Sequence, residues 1–204
     1  LCRDRGFTDR GMCSCMRQLL VEAGYRSSGL GNLLKKQKFD NFSLHFYNGE
    51  DKEAAETALS VAKKFAADFD KTHASLLFVG GTGLGKTHLS SAIAKTVIDR
   101  GYDVLYTSAV NMLSEFERVK FRGEQDETDR YFLAELLIID DLGAEFISQF
   151  SVSALYNLIN TRQNKGRSTI ISTNWTIAAI TAIKRMNERK LRSTPSTKAS
   201  ALST

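Results

Sequence analysis

Residues 80–87 carry the pattern with the clearest chemistry in this chain. They read Gly-Gly-Thr-Gly-Leu-Gly-Lys-Thr and match the phosphate-loop pattern G-x-x-x-x-G-K-[ST]. Glycines let backbone N–H groups turn inward around a phosphate, and the N-terminus of a following helix adds its positive end. Lys86 is expected to reach the β- and γ-phosphates of a nucleotide, and the Thr87 hydroxyl to bind Mg²⁺. The predicted nucleotide-binding residues are Gly80, Gly81, Thr82, Gly83, Leu84, Gly85, Lys86, Thr87 and His88.

Two adjacent aspartates supply the acidic half of such a site. Asp140 and Asp141 follow an apolar run, and acidic residues at the end of a buried strand lie beside the phosphate loop in an open α/β sheet. Asp140 is predicted to hold Mg²⁺ through its water shell, and Asp141 to orient or deprotonate an attacking water. The alternative for Asp141 is a cap on the next loop. Asn174, after a later apolar run, is placed to hydrogen-bond the γ-phosphate or the water.

Short apolar runs alternate with helical patterns, and these elements must position the site. Continuous apolar runs indicate strands buried on both faces, which is typical of a parallel sheet covered by helices. The predicted class is therefore α/β, and the phosphate loop falls between a strand and a helix, which argues against a chance glycine-rich turn. We predict strands over residues 76–79, 104–106, 136–139 and 169–172, and helices over 50–69, 86–99, 110–119, 152–163 and 176–190.

Two segments ahead of the phosphate loop have patterns of their own. The helix predicted over 50–69 is amphipathic, and its apolar face is expected to hold Ala54, Ala58, Val61, Ala62, Phe65 and Phe69. Residues 16–34 show helical patches that Gly24, Gly29 and Gly31 are expected to interrupt, and residues 39–42 have the character of a linker.

The composition is that of an ordinary globular chain. Of 204 residues, 42% are hydrophobic and 25% are charged, which excludes a disordered or fibrous protein. No apolar run approaches the roughly 18 residues that span a bilayer, so we expect no membrane partner. The net charge of +5 comes from the two ends of the chain, which gives weak support for a polyanionic partner. Three cysteines cannot pair evenly, which favours a reducing, cytoplasmic compartment.

Three blocks of sequence, with their order and spacing, resemble the AAA+ ATPases. They are residues 76–89, 136–143 and 158–174, which hold the phosphate loop, the two aspartates and a Thr-Asn pair. More narrowly, residues 39–190 resemble the DnaC/DnaI-type helicase loaders and their relatives, the IstB transposition helpers. The front end, with its cysteines and residues 39–42, resembles the cysteine-bearing forms of Gram-positive bacteria and their phages. The implied fold is a P-loop AAA+ core, and the implied nucleotide is ATP.

The resemblance implies an ATP-dependent helicase loader acting in DNA replication. ATP would order self-association through the ATP site and the grip on single-stranded DNA, and hydrolysis would release a replicative helicase. The charged DNA backbone would be held by basic side chains. The candidates are Lys120, Arg122 and Arg130, and the alternative for each is a solvent-exposed side chain with no DNA contact. The basic front end would suit either DNA or an acidic face of the helicase, and its arginines are Arg3, Arg5, Arg10, Arg17 and Arg26.

Other functions remain open at this point. An IstB-like transposition ATPase would differ only in its partner, and the cysteine-bearing front end argues against it. A nucleotide-binding adaptor with little hydrolysis is a third possibility. A small-molecule kinase is least favoured, because the two aspartates and the Thr-Asn strand end suit activation of water rather than of an acceptor.

The resemblance also implies roles for three cysteines and one phenylalanine. In the cysteine-bearing forms the pattern is C-x-x-C followed by C-x-C, so Cys2, Cys13 and Cys15 would be three of four thiolates. Tetrahedral zinc needs four ligands, so we expect zinc in the intact protein and an incomplete site here, with ordinary free thiols as the alternative. Phe42 would lie against the adenine, or would be a core residue that links the front end to the sheet.

The chain departs from the family pattern near its C-terminus. The family pattern places an arginine finger in a Glu-Arg-x-x-Ser-Arg block. Residues 188–193 begin with the Glu-Arg of that block but end in Arg-Ser where the pattern has Ser-Arg. The nearest candidate for the arginine finger is therefore Arg192. The family's fifth strand is missing, which would leave the strand over 76–79 as an exposed edge. We expect this change to impair hydrolysis more than binding. Arg162 is a second candidate inter-subunit arginine, with a surface position on its helix as the alternative.

These observations divide the chain into three predicted parts. Residues 1–38 would form a cysteine knuckle and a basic helical segment, and residues 39–191 the AAA+ core without its fifth strand and lid. Residues 192–204 are rich in Ser, Thr and Ala and are expected to be a disordered tail. Because the first residue is Leu1, we expect the chain to be a piece of a longer protein.

Overall fold

The computed structural model describes residues 7–8, 11–31, 36–122, 127–143 and 148–175. Its strands are β1 (Phe7–Thr8), β2 (Gly11–Met12), β3 (Leu76–Val79), β4 (Val104–Ser108), β5 (Leu136–Leu142) and β6 (Ser168–Thr173). Strands β1 and β2 pair antiparallel, whereas the other four form a parallel sheet in the order β3-β6-β5-β4. The α/β class and the four predicted strands are confirmed.

Helices cover this sheet and connect its strands. They are α1 (Ser14–Ser27), α2 (Gly49–Ala67), α3 (Lys86–Asp99), α4 (Ala109–Arg122), α5 (Asp129–Leu133) and α6 (Gln149–Asn164), with short 3-10 turns at Phe39–Asn41 and Leu44–Phe46. Helix α3 has the bounds predicted for it, and α6 is followed by Gly166 in the left-handed region, with φ of 63°. The short helix α5 was not predicted from the sequence.

The sheet is buried between two apolar clusters. Leu136 and Ile138 of β5 pack into the cluster beneath α2 and α3, whereas Leu137 and Ile139 pack into the cluster on the other face. Alternate residues of a strand point to opposite faces, so this uninterrupted apolar run serves both clusters, as the sequence predicts. The other face is covered by α4, α5 and α6, through Met112, Leu113, Tyr131 and Leu158.

Strand β3 does not share this two-sided burial. In the described part of the chain it pairs with β6 alone, and Leu77 and Val79 are 49% and 37% exposed. It is therefore an edge strand there. The predicted helix over 176–190, Arg192 and the predicted tail lie outside the described residues.

Two expectations about the helices are wrong. Helix α1 continues through Gly24. An added Cβ at Gly24 would lie 3.1 Å from Ile98 Cγ2, so glycine here lets α1 approach α3 closely and does not end the helix. On α2, Val61 is 45% exposed and Ala54 is also exposed, while Ala55 and Ala66 take the buried positions. The linker expected at residues 39–42 contains a 3-10 turn.

The N-terminal segment packs against the rest of the molecule. Leu30, which follows α1, is 2% exposed and belongs to the cluster beneath α2 and α3. The described part of the expected cysteine knuckle consists of the β1–β2 pairing and the start of α1. The domain boundary at residue 38 stays a prediction. Among the described residues, every helix is too short or too polar to cross a bilayer.

Candidate nucleotide-binding site

The phosphate loop joins the end of β3 to the start of α3, as its mechanism requires. Gly83 and Gly85 have φ of 82° and 70°, a region that favours glycine. An added Cβ at Gly85 would lie 2.7 Å from Phe42 Cε2 and 2.8 Å from the Tyr47 hydroxyl. The loop is therefore closed on one side by two aromatic rings, and only glycine fits at this point.

Lys86 folds back over this loop. Its Nζ donates hydrogen bonds of 2.8 Å to the carbonyl oxygens of Gly80 and Gly81. The Gly80 N–H in turn donates to the Thr173 carbonyl at 3.2 Å, which ties the loop to the end of β6. The ammonium group thus lies at the loop, where it can exchange carbonyl oxygens for the oxygens of a phosphate.

Asp140 is the centre of a hydrogen-bonded cluster beside the loop. It is 8% exposed, and its Oδ2 accepts a 2.9 Å hydrogen bond from Thr87 Oγ1. The Tyr106 hydroxyl also donates to Oδ2, and Ser172 Oγ donates to Oδ1. The sequence-predicted pair of Thr87 and Asp140 is therefore brought together. A hydroxyl and a carboxylate are the hard oxygen ligands that Mg²⁺ takes, so the residues present fit this ion.

Sequence reasoning did not single out Tyr106 or Ser172, whose hydroxyls complete the cluster around Asp140. Burial raises the pKa of the Tyr106 hydroxyl well above its usual value, and the hydrogen bond to Asp140 adds to this effect, so the phenol stays a donor. The available signal was positional. Both residues lie on strands that flank the aspartate-bearing strand, near its carboxyl end.

Asp141 lies at an irregularity in β5. Its φ is 57°, and the register of β5 against β6 shifts between Ile139 and Leu142. The Asp141 N–H donates to Ser172 Oγ at 3.0 Å, so Ser172 contacts both aspartates. The side chain of Asp141 is exposed, in contrast to that of Asp140. A left-handed conformation costs a residue other than glycine roughly 1–2 kcal/mol, and such strain is concentrated at functional sites.

The ends of β5 and β6 are held together just beyond the aspartates. Thr173 Oγ1 donates to the Leu142 carbonyl at 2.6 Å and accepts from the Trp175 N–H at 3.0 Å. Asn174 lies between Thr173 and Trp175 in the chain, and its side chain is exposed. The carboxyl ends of β5 and β6 therefore present Asp141 and Asn174 to solvent at the same end of the sheet. Their catalytic roles stay predictions.

Phe42 and His88 connect the N-terminal turns to the start of α3. Nε2 of His88 lies 2.8 Å from the Lys38 carbonyl oxygen and 3.1 Å from Asn41 Oδ1. Phe42 meets the His88 ring edge-on at 5.3 Å and stacks with Tyr47 at 6.1 Å. Phe42 is half-buried and packs on the core while also bordering the phosphate loop. An adenine contact for Phe42 and a nucleotide contact for His88 stay predictions.

Arg162 is neither a surface residue nor an inter-subunit arginine, so both interpretations of it are wrong. Its side chain is fully buried. The guanidinium donates to Thr169 Oγ1 at 2.9 Å, to the carbonyls of Tyr131 and Ala134 at 2.8 Å each, and to the Ser168 carbonyl at 2.6 Å. Burial lowers its pKa to about 10, so it remains protonated at neutral pH. It fastens α6 to β6 and to the end of α5.

The three basic residues proposed for DNA lie in different surroundings. Arg130 pairs with Glu115 at 2.7 Å, whereas Lys120 Nζ lies 5.6 Å and 4.8 Å from the ring centroids of Phe121 and Phe150. Phe121 is 67% exposed, and sequence reasoning missed this aromatic pair. Arg122 is the last residue of α4, and its side chain is not among those that the structure describes.

The predicted zinc ligands are only partly described. Cys13 is half-buried immediately before α1, and Cys15 lies in the first turn of that helix. Cys2 lies outside the described residues, as do Arg3, Arg5 and Arg10. Within the described ranges, His, Cys, Asp and Glu form no group of three or more that could hold a metal ion. The zinc site stays a prediction.

The chain is similar to a known protein family over most of its length. The model of the IstB-like ATP binding proteins matches residues 24–189. The chain belongs to that family. Its four parallel strands and flanking helices also match solved AAA+ structures. The crystal structure of the DnaC helicase loader matches with a TM-score of 0.58 and 24% identity, over 74% of this chain and 94% of that chain. The crystal structure of DnaI matches with a TM-score of 0.64 and 20% identity, over 81% of this chain and 86% of that chain.

The chain is also similar to a relative of known function. The replicative helicase loader DnaC of Buchnera aphidicola subsp. Acyrthosiphon pisum is 29% identical over 147 residues, which are 70% of this chain. The match covers 57% of that relative's length, so this IstB-like chain spans little more than half of it. The expected resemblance to AAA+ proteins of the IstB and DnaC type is confirmed.

Proposed function

We propose that this chain binds ATP with Mg²⁺ at the phosphate loop and hydrolyses it. The observation that carries the proposal is the hydrogen bond from Thr87 to Asp140, which gathers a hydroxyl and a carboxylate beside the loop. These two residues would hold Mg²⁺, and Lys86 with the loop N–H groups would hold the phosphates. The bound ion would neutralise negative charge on the β- and γ-phosphates.

The water that attacks the γ-phosphate would be handled at the end of the sheet. Asp141 is exposed there and would orient or deprotonate that water, while Asn174 would hydrogen-bond the water or the γ-phosphate. An arginine from a neighbouring copy, with Arg192 as the candidate, would stabilise the charge that develops during transfer. Self-association through the ATP site is part of this proposal.

The proposed biological role is that of a cytoplasmic helicase loader in DNA replication. It is supported by family membership and by the DnaC relative. The partners would be a replicative helicase and single-stranded DNA. An IstB-like transposition ATPase is the second candidate, because the matching family model is the IstB-like one. The two roles share the nucleotide chemistry and differ in the protein partner.

An aromatic and basic surface supports contact with single-stranded DNA. The Phe121 and Phe150 rings lie 5.3 Å apart, and Lys120 Nζ lies above both. Aromatic rings offer a stacking surface for bases, and a nearby ammonium attracts the phosphate backbone. Arg130 suits this role less well than Lys120, since Glu115 already neutralises it.

ATP hydrolysis with and without single-stranded DNA tests the proposal. We expect DNA-stimulated release of phosphate that Lys86→Ala abolishes and that the exposed-residue control Lys63→Ala retains. Nucleotide binding that depends on Lys86 but gives no hydrolysis would support the adaptor role instead. Binding that Lys86→Ala leaves unchanged would contradict the assignment of the site.

A further inference from the structure

Tyr106 takes part in two contacts that connect distant parts of the molecule. Its hydroxyl donates to Asp140 Oδ2, inside the proposed metal site. Its backbone N–H donates a 2.7 Å hydrogen bond to the carbonyl oxygen of Ser28, just after α1. One residue of β4 thus joins the N-terminal segment to the carboxylate that would hold Mg²⁺.

The contact with the N-terminal segment is close and depends on glycine. Gly29 has φ of 76°, and an added Cβ there would lie 2.5 Å from the Tyr106 carbonyl oxygen. The neighbours of Gly29 anchor the segment, since Ser28 is fully buried and Leu30 is 2% exposed in the main core. Residues 28–30 therefore lie along the outer edge of β4 at Tyr106, on a strand that pairs with β5 alone in the described sheet.

The contact with Asp140 fixes the direction of the carboxylate. Thr87 and Tyr106 donate to Oδ2, and Ser172 donates to Oδ1. If the Thr87 hydroxyl turns to a metal ion, Tyr106 is the donor that remains on Oδ2. A hydrogen-bond donor behind a metal ligand commonly contributes a factor of about 10–100 to metal affinity.

We propose that Tyr106 positions Asp140 and couples it to residues 28–30, so that displacing this segment weakens binding of the magnesium nucleotide. Movement of the segment would shift the Tyr106 backbone, and the phenol would move with it. The N-terminal part of the chain, and any partner that pulls on it, would then control the nucleotide site. This inference rests on the proposed function of the phosphate loop.

The test measures the dissociation constant of a fluorescent, non-hydrolysable ATP analogue in Mg²⁺ and in EDTA. The ratio of the two constants is the magnesium enhancement. Tyr106→Phe keeps the ring and the backbone but removes the hydroxyl, and we expect it to lower the enhancement about tenfold, with the constant in EDTA unchanged. An unchanged enhancement would overturn the positioning role.

The coupling is tested by a double-mutant cycle. Gly29→Ala should lower the enhancement in the wild-type background and have little further effect together with Tyr106→Phe. Gly31→Ala is the matched control, because Gly31 also has positive φ, of 49°, and an added Cβ meets nothing within 4 Å. Additive effects of Gly29→Ala and Tyr106→Phe would overturn the coupling.

A second variant covers the case in which Gly29→Ala does not fold. Leu30→Ala loosens the anchor of the segment without placing an atom against Tyr106, and the same loss of enhancement is expected. Failure of the proposed function is recognised separately, because the wild-type chain would then show no magnesium enhancement at all. A normal wild-type enhancement that every variant retains would refute only the role of Tyr106.

Discussion

Thr87 Oγ1 donates a 2.9 Å hydrogen bond to Asp140 Oδ2 although 53 residues separate them in the chain. The topology of the sheet produces this contact. Strands β3 and β5 both pair with β6 in parallel, so the loop that follows β3 and the carboxyl end of β5 meet at one end of the sheet. The parallel order of the strands therefore brings the two proposed metal ligands together.

Asp141→Asn is expected to separate hydrolysis from binding. The amide keeps the size of the side chain but accepts no proton, so turnover should fall about 10²–10⁴-fold while ATP affinity stays near that of the wild type. Phosphate release and equilibrium binding, measured on the same preparation, check this. Asp129→Asn, at an exposed position on α5, is the control. Unchanged turnover would assign Asp141 to a loop cap.

Gly85→Ala is expected to damage the phosphate loop. The new methyl group would lie 2.7 Å from the Phe42 ring at a backbone angle that favours glycine, so it must displace Phe42 or the loop. Gly83→Ala is the matched control, since Gly83 has a similar φ but an added Cβ meets nothing within 4 Å. Thermal unfolding should show a clearly larger loss for Gly85→Ala. Equal losses would show that backbone strain, and not Phe42, is responsible.

Arg162→Met is expected to destabilise the fold strongly. It keeps much of the apolar volume but leaves the carbonyls of Tyr131, Ala134 and Ser168 without their donor. Each unsatisfied buried acceptor costs about 1–3 kcal/mol, so we expect the free energy of unfolding in urea to fall by about 3 kcal/mol or more. Lys165→Met, at an exposed position just after the end of the same helix, should change it by less than about 0.5 kcal/mol. A small effect of Arg162→Met would mean that the carbonyls find other donors.

Phe121→Ala is expected to weaken binding of single-stranded DNA. Loss of a stacking ring costs about 1–3 kcal/mol per base, which corresponds to roughly fivefold or more in affinity. Fluorescence anisotropy with a labelled oligothymidine measures it, and Phe46→Ala is the control because Phe46 is 85% exposed and lies outside this surface. Equal affinity of the two variants would remove this surface from the proposal.

The pattern of the sequence predicted most of the elements because local signals specify them. The phosphate loop, the helix after it and the strand before Asp140 each have a composition that few other structures share. The face of α2 was predicted less well, since Val61 lies beside an edge strand and has little to pack against. Such partial burial depends on which strands are neighbours, and hydrophobic periodicity does not report it.

The partners of Asp140 and Arg162 could not be predicted in the same way. Tyr106 reaches Asp140 from a different strand, and its spacing in the sequence carries no sign of that contact. Arg162 has the sequence context of an exposed helical residue, but its four acceptors come from two separate segments, β6 and the end of α5. Both contacts are products of tertiary packing, which brings together residues that no local pattern connects.

The most direct test of the account is the effect of Mg²⁺ on nucleotide affinity in wild type and Asp140→Asn. Calorimetric titration with a non-hydrolysable ATP analogue should show tighter binding in Mg²⁺ than in EDTA for the wild type. The substitution should remove most of that gain and leave the affinity in EDTA nearly unchanged, because Lys86 and the loop still hold the phosphates. If Asp140→Asn binds the magnesium nucleotide as tightly as the wild type, Thr87 and Asp140 are not the metal site and the account is contradicted.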